Sequence, residues 1–429
     1  MNLCKKLFSL ILIIALIIMP AATAVSAAST DGSNVQNAIA QEKEITAKYG
    51  SIEIKDIDIA AFANAPGLVS GVVPDITSPT AILVEASTGS VLYEKDADTR
   101  RSPASVTKIM TELLIIEAIE AGVISFDDEI TTSRTASRMG GSQIFLREGE
   151  VMTAHDMFKS VVMNSANDAA VALAEHVSGS EEAFVVSMNA RAAELGMVNT
   201  SFTNCSGLME SDEHYSTARD IAIMSRELLR HDLIRDFTTI WMDSLRGGET
   251  MLANTNRLVR YFEGTTGLKT GFTSTAGSCL AASAKRDGVE YISVTLGDKS
   301  SQERFESTRL LLSYAFATYT VIPATPDSVL LPIKVDLGQE RYVQPETDAT
   351  VGILLTRTEA TQVTKTVTVA TQLLAPVNKG DELGMLVIQV GDRVIAELPI
   401  VAANSSERLE WGDIYSRFLT MLIAPPESD

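Results

Sequence analysis

Arg101-Ser102-Pro103-Ala104-Ser105-Val106-Thr107-Lys108, followed by Ile109-Met110-Thr111-Glu112-Leu113-Leu114-Ile115-Ile116, is the stretch on which the reading of this 429-residue chain turns. Ser105 and Lys108 stand three residues apart, so a helix from Ser105 onward puts both side chains on one face, one turn apart. Pro103 fits just ahead of that helix or in its first turn, and fixes the chain's entry. Ile109, Leu113, Ile116 and Ile119 continue an apolar pattern that predicts a largely buried helix. An ammonium buried there is costly unless it is paired or deprotonated, and an amine with a lowered pKa can take the proton from a serine hydroxyl. Ser-x-x-Lys alone also fits an ordinary amphipathic helix start, so its weight depends on what surrounds it.

Upstream, Thr80 to Glu94 reads as two short strands joined by a turn at Ser87-Thr88-Gly89, a hairpin leading directly into the serine helix. Residues 28–75 are rich in Ala, Ser, Asn, Gln and acids, with little periodicity before Ile52, and read as an N-terminal arm or linker. Residues 1–27 read as a secretory signal: Lys5 and Lys6, the apolar stretch Leu7 to Met19, then small residues ending Val25-Ser26-Ala27. Removing them takes the net charge from −20 to −22, because they carry two lysines and no acid. That balance speaks against a nucleic-acid partner and for an exported, extracytoplasmic protein. With Cys4 lost, only Cys205 and Cys279 remain. One disulfide stays open, while the strand-like surroundings of Cys279 favour two free, buried thiols.

Downstream, residues 125–235 carry helical patterns at Ala154 to Met163, Asp168 to Ser178, Glu181 to Leu195 and Thr217 to Leu229. Strand patterns return at Gly267 to Thr273, Ser278 to Ala284 and Tyr291 to Leu296, and a helix at Ser301 to Thr318 closes the unit. Strands, a helical block, strands and a final helix predict an α+β domain over 76–320, an antiparallel sheet flanked by helices with a helical subdomain. From residue 321 to 402 the pattern changes to alternating β-branched runs, predicting a separate small all-β domain. Residues 403–429 hold a C-terminal amphipathic helix whose apolar stripe is Trp411, Ile414, Tyr415, Phe418, Leu419 and Leu422. The stripe suits a membrane interface, or alternatively packing on the β domain.

Two further short motifs complete the pattern. Asn164-Ser165-Ala166-Asn167-Asp168 lies at a break between two helices, where a hydroxyl and an amide can face a cleft. Lys269-Thr270-Gly271 lies on a strand, where glycine lets a backbone or ligand approach closely. Ser-x-x-Lys, Ser-x-Asn and Lys-Thr-Gly, in that order on helix, loop and strand, form a set that chance rarely assembles. With Ala81 to Gly89, Ser102 to Thr111, Glu194 to Thr200, His214 to Ala218 and Gly267 to Thr273, the chain resembles the low-molecular-mass penicillin-binding proteins that are D-alanyl-D-alanine carboxypeptidases, peptidase family S11. The resemblance spans roughly 75–425. Two departures are Ala166, where the family usually has glycine, and Cys205-Ser206, in place of a more usual proline-containing pair.

The resemblance implies a β-lactamase/transpeptidase-like domain and a serine peptidase without cofactor or metal. Ser105 would attack the carbonyl between the terminal D-alanines of a peptidoglycan stem peptide, Lys108 would be its base, and Ser165 with Lys269 would relay the proton to the leaving amine. Asn167 would hold the substrate amide. The N–H groups of Ser105 and Phe272 would form the oxyanion hole, and Thr270 and Arg304, with Gly271 beside them, would bind the terminal carboxylate. β-Lactam antibiotics would acylate Ser105. His155, His176, His214 and His231 offer no His-Glu-x-x-His for a zinc peptidase, and no Gly-x-Ser-x-Gly elbow surrounds Ser105. A class A β-lactamase would need a Glu-x-x-Leu-Asn loop, which is missing between the second and third motifs. A DD-endopeptidase and a β-lactam-acylated sensor with little turnover remain as alternatives.

Overall fold

The computed structural model describes residues 72–208, 211–347 and 352–423. The expected signal, the expected arm up to residue 71 and the start of the strand pattern at 349–355 lie outside the described residues.

Small and β-branched residues build a sheet that is covered on both faces. Its strands are β1 (Thr80–Glu85), β2 (Val91–Lys95), β3 (Thr265–Thr273), β4 (Gly277–Arg286) and β5 (Val289–Asp298), in the order β2-β1-β5-β4-β3. Every pair is antiparallel, and β3 forms one edge. Alternation with a period of two sends Ile82, Val84, Ala281, Ile292 and Val294 into one core. Ala81, Leu83, Leu280, Ala282 and Tyr291 go into the other.

Six long helices lie along the described chain between these strands and directly after them. α1 (Lys108–Glu120), α2 (Ala154–Asn164), α3 (Asn167–Ser178) and α5 (Ala218–Arg230) contribute to the first core, and α4 (Glu181–Glu194) packs on α3. α6 (Ser301–Thr318) covers the opposite face through Phe305, Leu311, Leu312 and Ala315. Side-chain caps begin several of them: Thr153 for α2, Ser180 for α4, Thr217 for α5 and Ser300 for α6 each accept a first-turn backbone N–H. α1 is buried from Lys108 through Leu113, as expected of a helix that is apolar on nearly every side. Cys205 and Cys279 are free and buried.

Beyond α6 a β domain contains β6 (Val363–Val369), β7 (Glu382–Val390) and β8 (Arg393–Ala402), joined at the edge of β8 by Pro345–Glu346. It includes one four-residue helix, Arg357–Ala360, which the alternating pattern did not predict. Thr356 and Glu359 close a capping box on it. The segment after β8 stays on this domain: Ser406 exchanges backbone hydrogen bonds with Val377, and Leu409 N–H donates to Leu337 O at 2.8 Å.

α7 (Trp411–Ile423) follows, with Asp413 Oδ2 of its first turn accepting from Gln339 Nε2 of the β domain at 3.1 Å. Trp411 is 86% exposed, Tyr415 65% and Phe418 59%, so these three aromatic side chains are not laid against the β sheets. Among the described residues no helix is long and apolar enough to cross a membrane.

Candidate active site

Ser105 sits in a 3-10 turn, Ala104–Thr107, that feeds α1, rather than in the α-helix expected from Ser105 onward. The tighter turn still stacks i and i+3, and Ser105 Oγ lies 3.2 Å from Lys108 Nζ. Two other atoms surround that nitrogen, Asn167 Oδ1 at 2.6 Å and Ser206 O at 2.6 Å. Lys108 is fully buried. Burial above all, and then the charge of Lys269, pushes its pKa well below the usual lysine value. A neutral amine has two N–H bonds and one lone pair. Asn167 Oδ1 and Ser206 O can only accept, so they take the two N–H bonds and leave the lone pair for the Ser105 hydroxyl to donate into.

The contacts depend on a close fit of backbone to backbone. Asn204 Oδ1 accepts the Gly207 N–H at 2.6 Å and the Ser206 N–H at 3.2 Å, turning the Ser206 carbonyl toward Lys108. Gly207 has φ +70°, and a Cβ there would overlap the Ala104 carbonyl. Ala104 and Ser165 both hold positive φ, at 48° and 61°. That conformation is uncommon for residues with a side chain, and here it flanks the nucleophile and ends α2. At the Cys205-Ser206 departure the loop contributes main-chain oxygens to the site, so no reacting side chain is removed. Cys205 O accepts from Thr111 Oγ1 at 2.6 Å.

Ser165 ends α2 with its Oγ buried and without a hydrogen-bond partner. Asn167 opens α3, and its Nδ2 donates to Gly140 O at 2.8 Å while Oδ1 faces Lys108. Lys269 is fully buried on β3, with Nζ 3.1 Å from Thr270 O. Burial lowers its pKa to about 8, with Glu112 opposing that effect and Arg304 adding to it. Thr270 Oγ1 donates to Thr255 Oγ1 at 2.8 Å. β3 comes close to the serine turn at Gly271, where a Cβ would lie 2.9 Å from Pro103 O and 3.1 Å from Ser105 N. Phe272, next along this edge strand, is 66% exposed.

Arg304 also has a role within the protein that the sequence did not suggest. Its Nη1 donates to Gly271 O at 2.8 Å and Cys279 O at 3.3 Å, and its Nη2 to Ser301 Oγ at 3.1 Å. The guanidinium thus holds the β3–β4 backbone beside Gly271, while its Nε–H is buried without a partner. Sequence reasoning missed Ser206, Thr255, His214 and Glu112. His214 Nδ1 accepts the Thr203 N–H at 3.0 Å, and its Nε2 is 2.8 Å from Thr107 Oγ1, which itself donates to Ala104 O. The neutral ring therefore carries its proton on Nε2 and braces the turn holding Ser105. A cavity of about 450 Å³ opens ahead of that turn, lined by Arg100, Arg101, Ser102, Asp212, Tyr215 and Thr275 among others.

Ser105 lies against the buried Lys108, the strand carrying the buried Lys269 passes the serine turn at Gly271, and the chain around them matches known proteins. The family model for D-alanyl-D-alanine carboxypeptidases (peptidase family S11) matches residues 68–300. The model of the penicillin-binding protein 5 C-terminal domain matches residues 316–408. This chain belongs to the D-alanyl-D-alanine carboxypeptidase family. A curated member, the D-alanyl-D-alanine carboxypeptidase DacF of Bacillus subtilis, is 42% identical over 334 residues, which are 77% of this chain and 86% of the relative. The carboxypeptidase DacC of Escherichia coli is 32% identical over 353 residues, 80% of this chain and 87% of the relative. Among solved members, penicillin-binding protein 5 from Haemophilus influenzae superposes with a TM-score of 0.67 at 29% identity, covering 79% of this chain and 99% of that one. An ampicillin-bound penicillin-binding protein D2 from Listeria monocytogenes gives 0.52 at 30% identity, covering 57% and 100%. Membership of this family agrees with the α+β catalytic domain and the appended β domain described above.

Proposed function

We propose that the protein is a serine-type D-alanyl-D-alanine carboxypeptidase that removes the terminal D-alanine from peptidoglycan stem pentapeptides, and that β-lactams acylate it at Ser105. The observation that carries this reading is the set of three neighbours around Lys108 Nζ, which leaves the lone pair to Ser105. In acylation the Ser105 Oγ–C bond forms while the hydroxyl proton moves to Lys108 Nζ. The carbonyl oxygen becomes an oxyanion between the N–H groups of Ser105 and Phe272, each such donor typically worth about 2.7–4 kcal/mol. The amide C–N bond then breaks, and the leaving amine of D-alanine takes a proton from Lys269 by way of Ser165 Oγ, while the proton on Lys108 passes on to Lys269 and leaves Lys108 an amine again. Water next attacks the ester, giving its proton to Lys108, and the tetrapeptide leaves as Ser105 regains its own.

β3 is an edge of the sheet with Phe272 exposed near its end, so an extended peptide can add to it there as a further strand. Laid past Phe272, its acyl side would reach the cavity bearing Arg100 and Arg101. The test is incubation of the mature protein with a stem pentapeptide, followed by mass spectrometry for tetrapeptide and free D-alanine. Both products support the reading. β-Lactam acylation without either product favours a sensor, and release only from cross-linked dimers favours an endopeptidase.

Residues 1–27 are proposed as a cleaved export signal and 28–75 as an arm, with the catalytic domain over 76–320 and the β domain over 321–402. α7, within 403–429, is proposed to hold the exported protein at the outer face of the cytoplasmic membrane. The exposure of Trp411, Tyr415 and Phe418 supports this, since an unpaired stripe of that size calls for cover by lipid or protein. Truncation belongs after Glu410 and not at the end of β8, because Ser406 and Leu409 are bonded to the β domain. The truncated protein should lose sedimentation with liposomes and keep peptide hydrolysis. Full-length mature protein that stays in the supernatant would refute the anchor.

A further inference from the structure

Glu112 is the one acid in the apolar first two turns of α1, four residues after Lys108 and on the same face. It is fully buried, and neither carboxyl oxygen accepts a hydrogen bond. Isolated carboxyl groups are expensive to bury, and structures retain them where their charge is used. α1 packs against β3, which carries the buried Lys269, and the lysine charge that acts most strongly on Glu112 is that of Lys269, followed by Lys108. The reaction needs two lysines in opposite states within one dry site. Lys108 must be an amine to accept the serine proton, whereas Lys269 must hold a proton to pass on. Two ammonium groups repel each other there, and burial favours losing both protons.

We propose that Glu112 is a positioning residue, the buried counter-charge that keeps a proton on Lys269 while Lys108 stays an amine. With Glu112 ionised, Lys269 protonated and Lys108 neutral, the three groups sum to zero charge, the arrangement least penalised away from water. Burial pushes the Glu112 carboxyl up to about 7 while the two lysines oppose the rise, so Glu112 and Lys269 titrate next to each other. Other groups act on the lysines from outside this trio. Arg304 of α6 opposes the charge on Lys269. Asp168 of α3 and Cys205 favour the charge on Lys108. Asp168 already accepts the backbone N–H groups of Ile144, Leu146 and Ala169. At the far end of α1, Glu117 pairs with Arg191 and Glu120 hydrogen-bonds His231, so both carboxyl groups have local partners.

The inference rests on the proposed roles of Ser105, Lys108 and Lys269. Glu112→Gln keeps the size and removes the charge. Without the carboxylate both lysines release their protons more readily, so both limbs of the pH profile for Ser105 acylation by benzylpenicillin move toward lower pH. The shift expected for losing a nearby opposite charge is about one unit or more. On the alkaline side of the optimum the acylation rate then falls about tenfold relative to wild type, while on the acid side it is maintained or raised. Glu112→Asp, which keeps the charge, restores the wild-type position of the bell. A Gln variant that loses rate equally at every pH, with its optimum unmoved, overturns the inference and leaves Glu112 a packing role. Carbon-13 NMR of the wild-type protein labelled at glutamate carboxyls is the second measurement, independent of any variant's folding. A Glu112 signal at the carboxylate shift at the pH optimum of acylation supports the proposal, and one at the protonated-carboxyl shift there overturns it. Wild-type protein that benzylpenicillin does not acylate would instead overturn the functional reading on which this one stands.

Discussion

Replacing Gly271 by alanine tests how far the site depends on the close approach of β3 to the serine turn. The added Cβ would meet Pro103 O at 2.9 Å and the nitrogens of Ser105 and Val106 at 3.1 Å each. These atoms are main chain on both sides, so no side chain can swing away, and the two segments must separate by a few tenths of an ångström. The same two segments hold the N–H groups assigned to the oxyanion hole, one on each. If separation forfeits about half of one donor's typical 2.7–4 kcal/mol, acylation slows by about 10- to 30-fold. Overpacking of this kind also costs about 1–3 kcal/mol of stability, read as a Tm lowered by several degrees. The assay is the second-order rate of benzylpenicillin acylation, followed by intact-protein mass spectrometry beside a thermal melt. Gly412→Ala is the control, since a Cβ there meets nothing within 4 Å, and both readings should stay at wild type. Acylation by Gly271→Ala within twofold of wild type would refute the account of the hole.

Lys108→Arg should lower acylation by about 10²–10⁴-fold, because a guanidinium keeps its proton and cannot act as the base. A near-wild-type rate would assign the base elsewhere. His214 gives a stability prediction with a defined sign. Burial lowers its native pKa to about 4 from 6.5, so between those values the unfolded chain takes a proton that the native ring refuses. Stability is therefore unaffected above pH 6.5 and falls toward pH 4, by about 3 kcal/mol from this group. Urea denaturation at pH 7 and pH 4.5 should show the loss in wild type and a smaller one in His214→Gln. Equal losses would contradict it.

The catalytic motifs and most elements around them were legible because each depends on local chemistry. Ser301 to Thr318 carries its own N-cap at Ser300, and the helix has the expected bounds. β4 and β5 announced themselves through continuous small and β-branched runs, since both faces of the sheet are covered. The 3-10 geometry at Ser105 was not legible, because spacing of i and i+3 fits either helix type. Ser206 contributes a main-chain oxygen, which leaves no trace in residue identity, and only its glycine neighbour at 207 hinted at a tight approach. Glu112 had a signal, a lone acid one turn beyond the lysine in an apolar helix, but its meaning depends on Lys269, more than 150 residues away. Arg304 was placed correctly on its helix. Its bonds to Gly271 O and Cys279 O are long-range, however, and no pattern foretells them. The tail stripe was legible as amphipathic, while what it faces depended on the fold.

The most direct test of the central claim is to acylate the mature protein with benzylpenicillin, digest it and locate the adduct by mass spectrometry. The account predicts one adduct per chain, on the peptide containing Ser105, and none in a folded Ser105→Ala variant, which should also release no D-alanine from pentapeptide. An adduct on any other residue, or labelling that survives in Ser105→Ala, would contradict it.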